Sequence, residues 1–360
     1  MIESLFIYGL LFFIMLAFCY QGSVKKQWSY VVVAVLIYAV LFGMRYGVGR
    51  DHIAYWEMYK LGDFSLYEDE PALPFIIKLC KSLYFGPVIF FAIVSFVQLY
   101  LCFRVLRKDY YIYKYALIPF FLGAIWLSFS NGLRQEIAFC IFVSSLLAIK
   151  EKKWWAYYFM IIVAILFHKS AILLLPLYPI LVIKDNWFKK SNLQLVTLLF
   201  VVTASNVNVI QDVFSHIDPF IQLIGYGDYF SEYRYSDFLY KESQYGIGYY
   251  LILATNIILV LYSDKYKGQF NSKTVNMMYS LYYIGVIMYY LFMGSLLLGR
   301  LNYYFYQFNF LVGAYALCYL NKANKYIYIL LLLLYLLIFA STLYRGAENT
   351  AFFKFFWEVA

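Results

Sequence analysis

Hydrophobic and polar positions fall in long blocks along this chain, with apolar runs separated by short basic turns. A helix needs about 20 mainly apolar residues to cross a bilayer, and somewhat shorter runs suffice in thin or distorted regions. The pattern predicts an all-α, polytopic membrane protein with about twelve transmembrane helices and no separate soluble domain, so that residues 1–360 form one membrane domain. The predicted spans are 4–20, 29–44, 85–103, 115–130, 134–149, 155–168, 170–183, 193–210, 246–262, 275–297, 302–320 and 326–343.

The basic turn at residues 150–153 separates two of these runs and predicts a helical hairpin. At 1.5 Å per residue, Arg134 lies about 24 Å before this turn and His168 about 22 Å after it. We therefore expect Arg134, Gln135 and His168 at nearly one depth, on the side opposite the lysines. Polar groups at that depth are costly unless they meet a partner, a ligand or water.

Charge is distributed very unevenly between the two sides of this arrangement. Alternate loops hold 17 of the 29 Lys and Arg residues but only four of the 20 Asp and Glu residues. The positive-inside rule makes these loops cytoplasmic and both termini external. They are residues 21–28, 104–114, 150–154, 184–192, 263–274 and 321–325. Because the lysines sit in short loops between apolar runs, the net charge of +9 does not indicate a nucleic-acid partner.

Two external segments are long enough to carry function. The first, 45–84, contains several acidic residues, namely Asp63, Glu68, Asp69 and Glu70. The second, 211–245, could form an interfacial helix over 213–224, and a tyrosine-rich tract follows. Its mixture of aromatic and charged residues is typical of an ordered loop that faces a substrate.

Four short clusters with chemical potential fall on the predicted outer face. The first contains Arg45, Arg50, Asp51 and Tyr55 after the second span. Arginine can bind phosphate oxygens with a planar, bidentate fork, and Asp51 could orient an arginine or act as a base. The alternative for this cluster is an Arg–Asp ion pair at the membrane interface.

The other three clusters begin or end membrane helices. They contain Arg134 with Gln135, then His168, then Arg300 with Tyr304. Taken singly, they are also compatible with snorkelling arginines and a structural histidine. Several arginines on one face of a sparsely charged membrane protein favour an anionic ligand, most simply a lipid phosphate or diphosphate.

In order along the chain, these clusters resemble the EpsG-type family of Wzy polysaccharide polymerases. The motif of Arg, Gly-x-Asp and Tyr matches Arg45, Gly49, Asp51 and Tyr55. Three further motifs of the family also have matches. The Arg-Gln motif with Ile-Ala matches Arg134, Gln135, Ile137 and Ala138; the Phe-His-x-Ser-Ala motif matches Phe167, His168, Ser170 and Ala171; and the late Arg before an aromatic pair matches Arg300, Tyr304 and Phe305. Arg50 departs from the small polar residue expected there.

The resemblance implies a GT-C-like glycosyltransferase of the bacterial cytoplasmic (inner) membrane, with its active site facing the exterior. It would transfer a growing undecaprenyl-diphosphate-linked glycan onto a lipid-linked repeat unit. Arg134 would stabilise charge on the diphosphate, and His168 and Asp51 are the candidates for orienting or deprotonating the acceptor hydroxyl. The resemblance implies substrate-binding roles for the residues Arg45, Arg50, Tyr55, Gln135, Arg300 and Tyr304.

Partners and cofactors follow the same expectations. We expect the lipid-linked oligosaccharide, the bilayer and a chain-length regulator as partners, and no nucleic acid. The five cysteines have no paired spacing and no metal-ligand cluster is visible, so we expect neither a metal nor another cofactor. Two alternatives stay open: a lipid-linked oligosaccharide flippase, which needs a site reached from both sides, and an O-antigen ligase-type transferase.

Overall fold

A computed structural model describes residues 1–65, 69–204, 246–293, 296–348 and 350–358. In these ranges the regular elements are helices, with one isolated antiparallel bridge between Arg45 and Phe355. The predicted external segment 211–245, with its interfacial helix and tyrosine tract, lies outside the described residues. The helices are α1 Ile2–Lys25, α2 Trp28–Gly43, α3 His52–Leu61, α4 Ala72–Ser82, α5 Pro87–Arg104, α6 Tyr113–Leu122, α7 Ile125–Asn131, α8 Leu133–Lys150, α9 Trp154–Phe167, α10 Leu177–Ile183, α11 Ser191–Ala204, α12 Ile247–Leu261, α13 Ser263–Phe270, α14 Lys273–Leu291, α15 Leu296–Tyr306, α16 Asn309–Ala323 and α17 Lys325–Tyr344.

Helix length and apolar composition identify the membrane spans only in part. Among the described residues, α1, α5 and α17 are long and apolar enough to cross a bilayer. The count rises to five if two bent helix pairs each form one span. Several further apolar helices, such as α2 and α9, are shorter. The chain is therefore an all-helical membrane protein throughout its described part.

The predicted hairpin coincides with α8 and α9, which pack against each other. Its turn ends at Lys153, whose backbone N–H donates to the Ala148 carbonyl oxygen at 2.9 Å. At the other end, His168 leaves the helical conformation with φ −155° and ψ 116°. The apolar pattern was sufficient to predict this hairpin because charged or polar residues mark both ends of each apolar run.

Three predicted spans have a different form in the structure. The span 115–130 is divided into α6 and α7, which are bent by 65° around a break at residues 123–124. Pro119 lies inside α6 and Ala124 adopts a left-handed conformation with φ 60°, so the helix cannot continue straight. The span 170–183 begins as a 3₁₀ helix, and the span 302–320 is divided between the end of α15 and α16.

Helix contacts bring distant parts of the chain to one end of the molecule. The helix α8 packs on α5 and α9, α4 packs on α9, and α14 packs on α15. The C-terminal segment 350–356 pairs with the loop after α2, through Tyr46 N–H to the Lys354 carbonyl at 2.8 Å and Phe356 N–H to the Met44 carbonyl at 3.0 Å. We call this pairing of residues 44–49 with residues 350–356 the tail junction.

Candidate active site

A cavity of about 750 Å³ opens where the starts of α3 and α8 meet the end of α9 and the face of α15. Seven of the nine residues singled out from the sequence line it. These are Arg50, Asp51, Tyr55, Arg134, Gln135, His168 and Arg300. We call the part of the cavity formed by Arg50, Asp51, Arg134, His168 and Arg300 the cavity mouth.

Glu70 connects two residues of the cavity mouth. One carboxyl oxygen forms an ion pair with Arg134, and the other lies 2.6 Å from His168 Nδ1. The same oxygen accepts the Lys169 backbone N–H at 3.0 Å. Arg134 also donates from Nε to the Tyr55 hydroxyl at 3.3 Å. The side chain of Glu70 is only 5% exposed, whereas those of Arg134 and His168 are 21% and 12% exposed.

The sequence interpretation missed Glu70 as a site residue. It is one of several acids in a long loop, and its partners are 64 and 98 positions away along the chain. The residue stands directly before Pro71, the N-cap of α4, and α4 packs on α9 beside His168. The only local signal was its place at the start of an apolar helix, which many surface acids share.

Burial and charge together shift two carboxyl pKa values near the cavity mouth in opposite directions. Burial favours the neutral form of Glu70, but the His168 hydrogen bond and the charges of His168 and Arg134 outweigh it and hold the pKa below its usual range. At Asp51, burial raises the pKa above its usual range, although the positive charges of Arg300, Arg134 and Arg50 oppose it. Glu70 is therefore an anion at neutral pH, and Asp51 is more basic than an ordinary aspartate.

The helix α15 contributes Arg300 to the cavity mouth. Gln135 donates from Nε2 to the backbone carbonyl of Arg300 at 2.5 Å. This contact ties the first turn of α8 to α15, and Arg134 and Arg300 both line the cavity. The two arginines thus come from elements that are far apart in the sequence and converge on one space.

Gly49 explains how the loop after α2 delivers Arg50 and Asp51 to the cavity. It has φ 91°, and a Cβ at this position would come within 2.5 Å of the Ser130 carbonyl oxygen. Its N–H donates to the Thr350 carbonyl at 3.0 Å, and the Asp51 N–H donates to Asn131 Oδ1 at 3.1 Å. Only glycine fits this close approach without strain.

Arg45, expected to bind substrate, is not among the cavity residues. It is 1% exposed and donates from Nη1 to the Phe42 carbonyl at 2.5 Å and to Ser95 Oγ at 3.4 Å. Its guanidinium lies 5.4 Å from the ring centres of both Phe42 and Phe91. The tail junction covers this arginine, because Arg45 itself is bridged to Phe355. The structure thus places Arg45 in the packed interior and not at the cavity, and its substrate-binding role stays a prediction.

Tyr304, also expected to bind substrate, is placed away from the cavity as well. Its side chain is fully buried and its hydroxyl lies 3.0 Å from Ser170 Oγ. The helical period explains the difference: Arg300 and Tyr303 line the cavity, and Tyr304 is turned by about 100° from Tyr303 toward the 3₁₀ segment after His168. Tyr303 is therefore the aromatic residue of this motif that faces the cavity.

This arrangement can hold an anion between guanidinium groups and present an imidazole beside it. Among the described residues, no group of three or more His, Cys, Asp and Glu side chains is placed to hold a metal ion.

Comparison with known proteins identifies one family. The model of the EpsG family matches residues 28–357, nearly the whole chain and all residues of the cavity mouth. The resemblance inferred from the sequence motifs is thereby confirmed. A search of the curated proteins and a search of the solved structures each found no match.

Proposed function

This chain belongs to the EpsG family, and we propose that it is a polysaccharide polymerase of the bacterial cytoplasmic membrane. In the proposed reaction, a growing glycan on undecaprenyl diphosphate is transferred to a sugar hydroxyl of a lipid-linked repeat unit. The observation that carries this proposal is the cavity mouth, where three arginines lie beside a histidine that is paired with a buried carboxylate.

The arginines suit the leaving group. The bond between the anomeric carbon and the diphosphate oxygen breaks, and negative charge develops on undecaprenyl diphosphate. Arg134 on α8 and Arg300 on α15 both line the cavity, and Arg50 lies in the loop between α2 and α3. Charge-assisted hydrogen bonds from guanidinium groups stabilise that charge without a metal ion. Glu70 keeps Arg134 in place for this role through their ion pair.

The histidine suits the acceptor. A new bond forms between the acceptor hydroxyl oxygen and the anomeric carbon, and the hydroxyl proton must be taken up. With Nδ1 engaged by Glu70, the neutral imidazole of His168 carries its lone pair on Nε2. His168 Nε2 is then the proton acceptor or the group that orients the hydroxyl. Asp51, whose pKa is raised, is the second carboxylate at the cavity and the alternative base.

The membrane arrangement completes the proposal. The short apolar helices cross the bilayer together with α1, α5 and α17, in about twelve spans with a GT-C-like arrangement, and both termini lie outside. The basic turn at 150–153 then faces the cytoplasm, and the cavity mouth opens to the exterior. A chain-length regulator would contact the outer face.

One reconstitution experiment tests the activity. Purified protein in lipid nanodiscs is incubated with lipid-linked repeat units, and the glycans are released and separated on a gel. A ladder of multiples of the repeat unit is the expected result. Unchanged repeat units on the gel, together with their transfer across the membrane when the same protein is placed in vesicles, would indicate a flippase, and a single addition to a different acceptor would indicate a ligase. Either of those results contradicts the polymerase proposal.

A further inference from the structure

The cavity continues inward from its mouth to a second, uncharged end. Asn256 and Tyr335 lie near the middle of α12 and α17, far from the helix ends that carry the charged residues. They are joined there by other amides and tyrosines that line the cavity, namely Tyr289, Asn302, Tyr306 and Gln307. We call this set of six residues the inner end. The proposed mechanism uses none of them.

Two amides of the inner end each donate to an acceptor within the protein. Asn302 donates from Nδ2 to the Gly285 carbonyl at 3.0 Å, and a carbonyl can only accept. Gln307 donates from Nε2 to a carboxyl oxygen of Glu136 at 2.6 Å. Both side chains therefore have their NH₂ groups committed to the protein, and each retains a carbonyl oxygen as an acceptor.

Those acceptor oxygens are buried without a partner in the described part of the chain. Asn302 and Gln307 are 3% and 2% exposed, and neither Asn302 Oδ1 nor Gln307 Oε1 meets a donor there. The hydroxyl of Tyr335 is in the same situation. A buried polar atom without a hydrogen bond destabilises the protein, and native structures keep few of them without a reason.

The chemistry of a suitable ligand follows from these three groups. Two carbonyl acceptors and a phenol hydroxyl are satisfied by a ligand that brings O–H donors. A diphosphate offers acceptors only, and a polyprenyl chain offers neither donors nor acceptors. Sugar hydroxyls are donors, and the paired rings of Tyr289 and Tyr306, stacked at 4.8 Å, add a flat wall for the apolar face of a sugar ring.

The helix α15 sets the distance between the two ends. Arg300, Tyr303 and Tyr306 follow each other at three-residue spacing, so they share one face of the helix. From Arg300 to Tyr306 the helix rises about 9 Å. One molecule with an anionic group beside a neutral polar ring can therefore contact both ends.

We propose that the inner end is a glycosyl subsite, in which Asn302, Gln307 and Tyr335 bind hydroxyls of a neutral sugar while the cavity mouth holds the attached diphosphate. This assignment rests on the proposed function, because it places the sugar of that same lipid-linked substrate. It makes the inner end the part of the site that distinguishes a sugar-bearing lipid from the sugar-free carrier.

Two probes separate the subsite from the mouth. Binding of the lipid-linked repeat unit and of sugar-free undecaprenyl diphosphate is measured on protein in nanodiscs. The key variant is Tyr335→Phe, which removes only a hydroxyl. We expect it to weaken binding of the repeat unit about tenfold, the size of one hydrogen bond, and to leave undecaprenyl diphosphate binding unchanged. Without ligand its melting temperature should equal or exceed that of wild type, because an unpartnered hydroxyl is removed. Gln307→Met is a second variant with the same expected selectivity.

Tyr266→Phe is the matched control, because its hydroxyl donates to the Leu259 carbonyl at 3.0 Å and Tyr266 does not line the cavity. It should lower the melting temperature and leave both affinities unchanged. The subsite is overturned if Tyr335→Phe and Gln307→Met bind the repeat unit like wild type, or weaken both probes equally. It is also overturned if wild type binds the repeat unit no more tightly than sugar-free undecaprenyl diphosphate. Wild type that binds neither probe would instead contradict the proposed function itself.

Discussion

The cavity mouth and the tail junction each contain an arginine that follows or begins a helix, and the two arginines have different partners. Arg134 pairs with the Glu70 carboxylate and the Tyr55 hydroxyl and is partly exposed to the cavity. Arg45 is fully buried, bonds a backbone carbonyl and lies against two phenylalanine rings. A carboxylate partner and an open side identify an arginine that can exchange contacts with a ligand. An arginine whose partners are backbone carbonyls and aromatic rings instead stabilises the fold.

The cavity mouth depends on the tail junction for its geometry. The tail junction fixes residues 44–49, and Gly49 brings this loop against Ser130 so that Arg50 and Asp51 reach the cavity. The tail junction therefore positions residues of the site, whereas the charged side chains of the cavity mouth contact the substrate in the proposed reaction. Substitutions in the two regions should separate into losses of stability and losses of turnover.

The largest effect is expected at His168 and Glu70. A positioned base contributes about 10²- to 10⁴-fold, so His168→Ala should lower turnover by at least about 10²-fold. Glu70→Gln should lower it in the same direction, because it removes the charge that orients the imidazole. The loss in the double variant should be smaller than the product of the two single losses, since Glu70 acts partly through His168 and partly through Arg134. Additive losses in a polymerisation assay would show that Glu70 acts independently of His168.

Arg300→Lys should have the next largest effect. Lysine keeps the charge but loses the planar fork, so we expect a loss of about tenfold or more in kcat/KM with normal stability. Arg104→Lys, at the end of α5 and outside the cavity, is the matched control and should behave like wild type. Full activity of Arg300→Lys would make this arginine an interfacial anchor.

Two glycines in the loop after α2 test how the tail junction holds this loop against α7. Gly47 and Gly49 both have positive φ, at 70° and 91°, but a Cβ at Gly47 meets nothing within 4 Å. Gly47→Ala should cost only backbone strain of about 1 kcal/mol. Gly49→Ala adds the collision with Ser130 and should lower the melting temperature further. Equal melting temperatures for the two variants would show that the close approach to α7 does not hold the loop.

The smallest effect concerns acid stability. Because the pKa of Glu70 is below its usual range in the folded protein, its ionised form stabilises the fold above the ordinary carboxyl value of about 4.3. That contribution is lost as the pH falls through the folded pKa. The difference in melting temperature between wild type and Glu70→Gln should thus be greatest near neutral pH and shrink below about pH 4. A difference that stays constant with pH would mean that the Glu70 charge is not involved.

The sequence predicted those parts of the molecule that depend on local pattern. Apolar runs with basic or polar ends located α8 and α9, and helical rise alone placed Arg134 and His168 at one end. Burial of a single side chain depends on distant neighbours instead. Arg45 is covered by a segment some 300 residues further along the chain, and Glu70 reaches its partners only through packing of α4 on α9. The spacing of apolar and polar residues along the sequence does not predict contacts between such distant segments.

A parallel assay of Arg134→Lys and Arg45→Lys tests most directly whether the cavity mouth is the site of polymerisation. Both variants are purified into nanodiscs, their melting temperatures are measured, and both are given lipid-linked repeat units. We predict that Arg134→Lys melts like wild type but makes little or no glycan ladder. Arg45→Lys should melt earlier and still make a ladder at temperatures where it is folded. A full ladder from Arg134→Lys, with none from folded Arg45→Lys, would contradict the assignment.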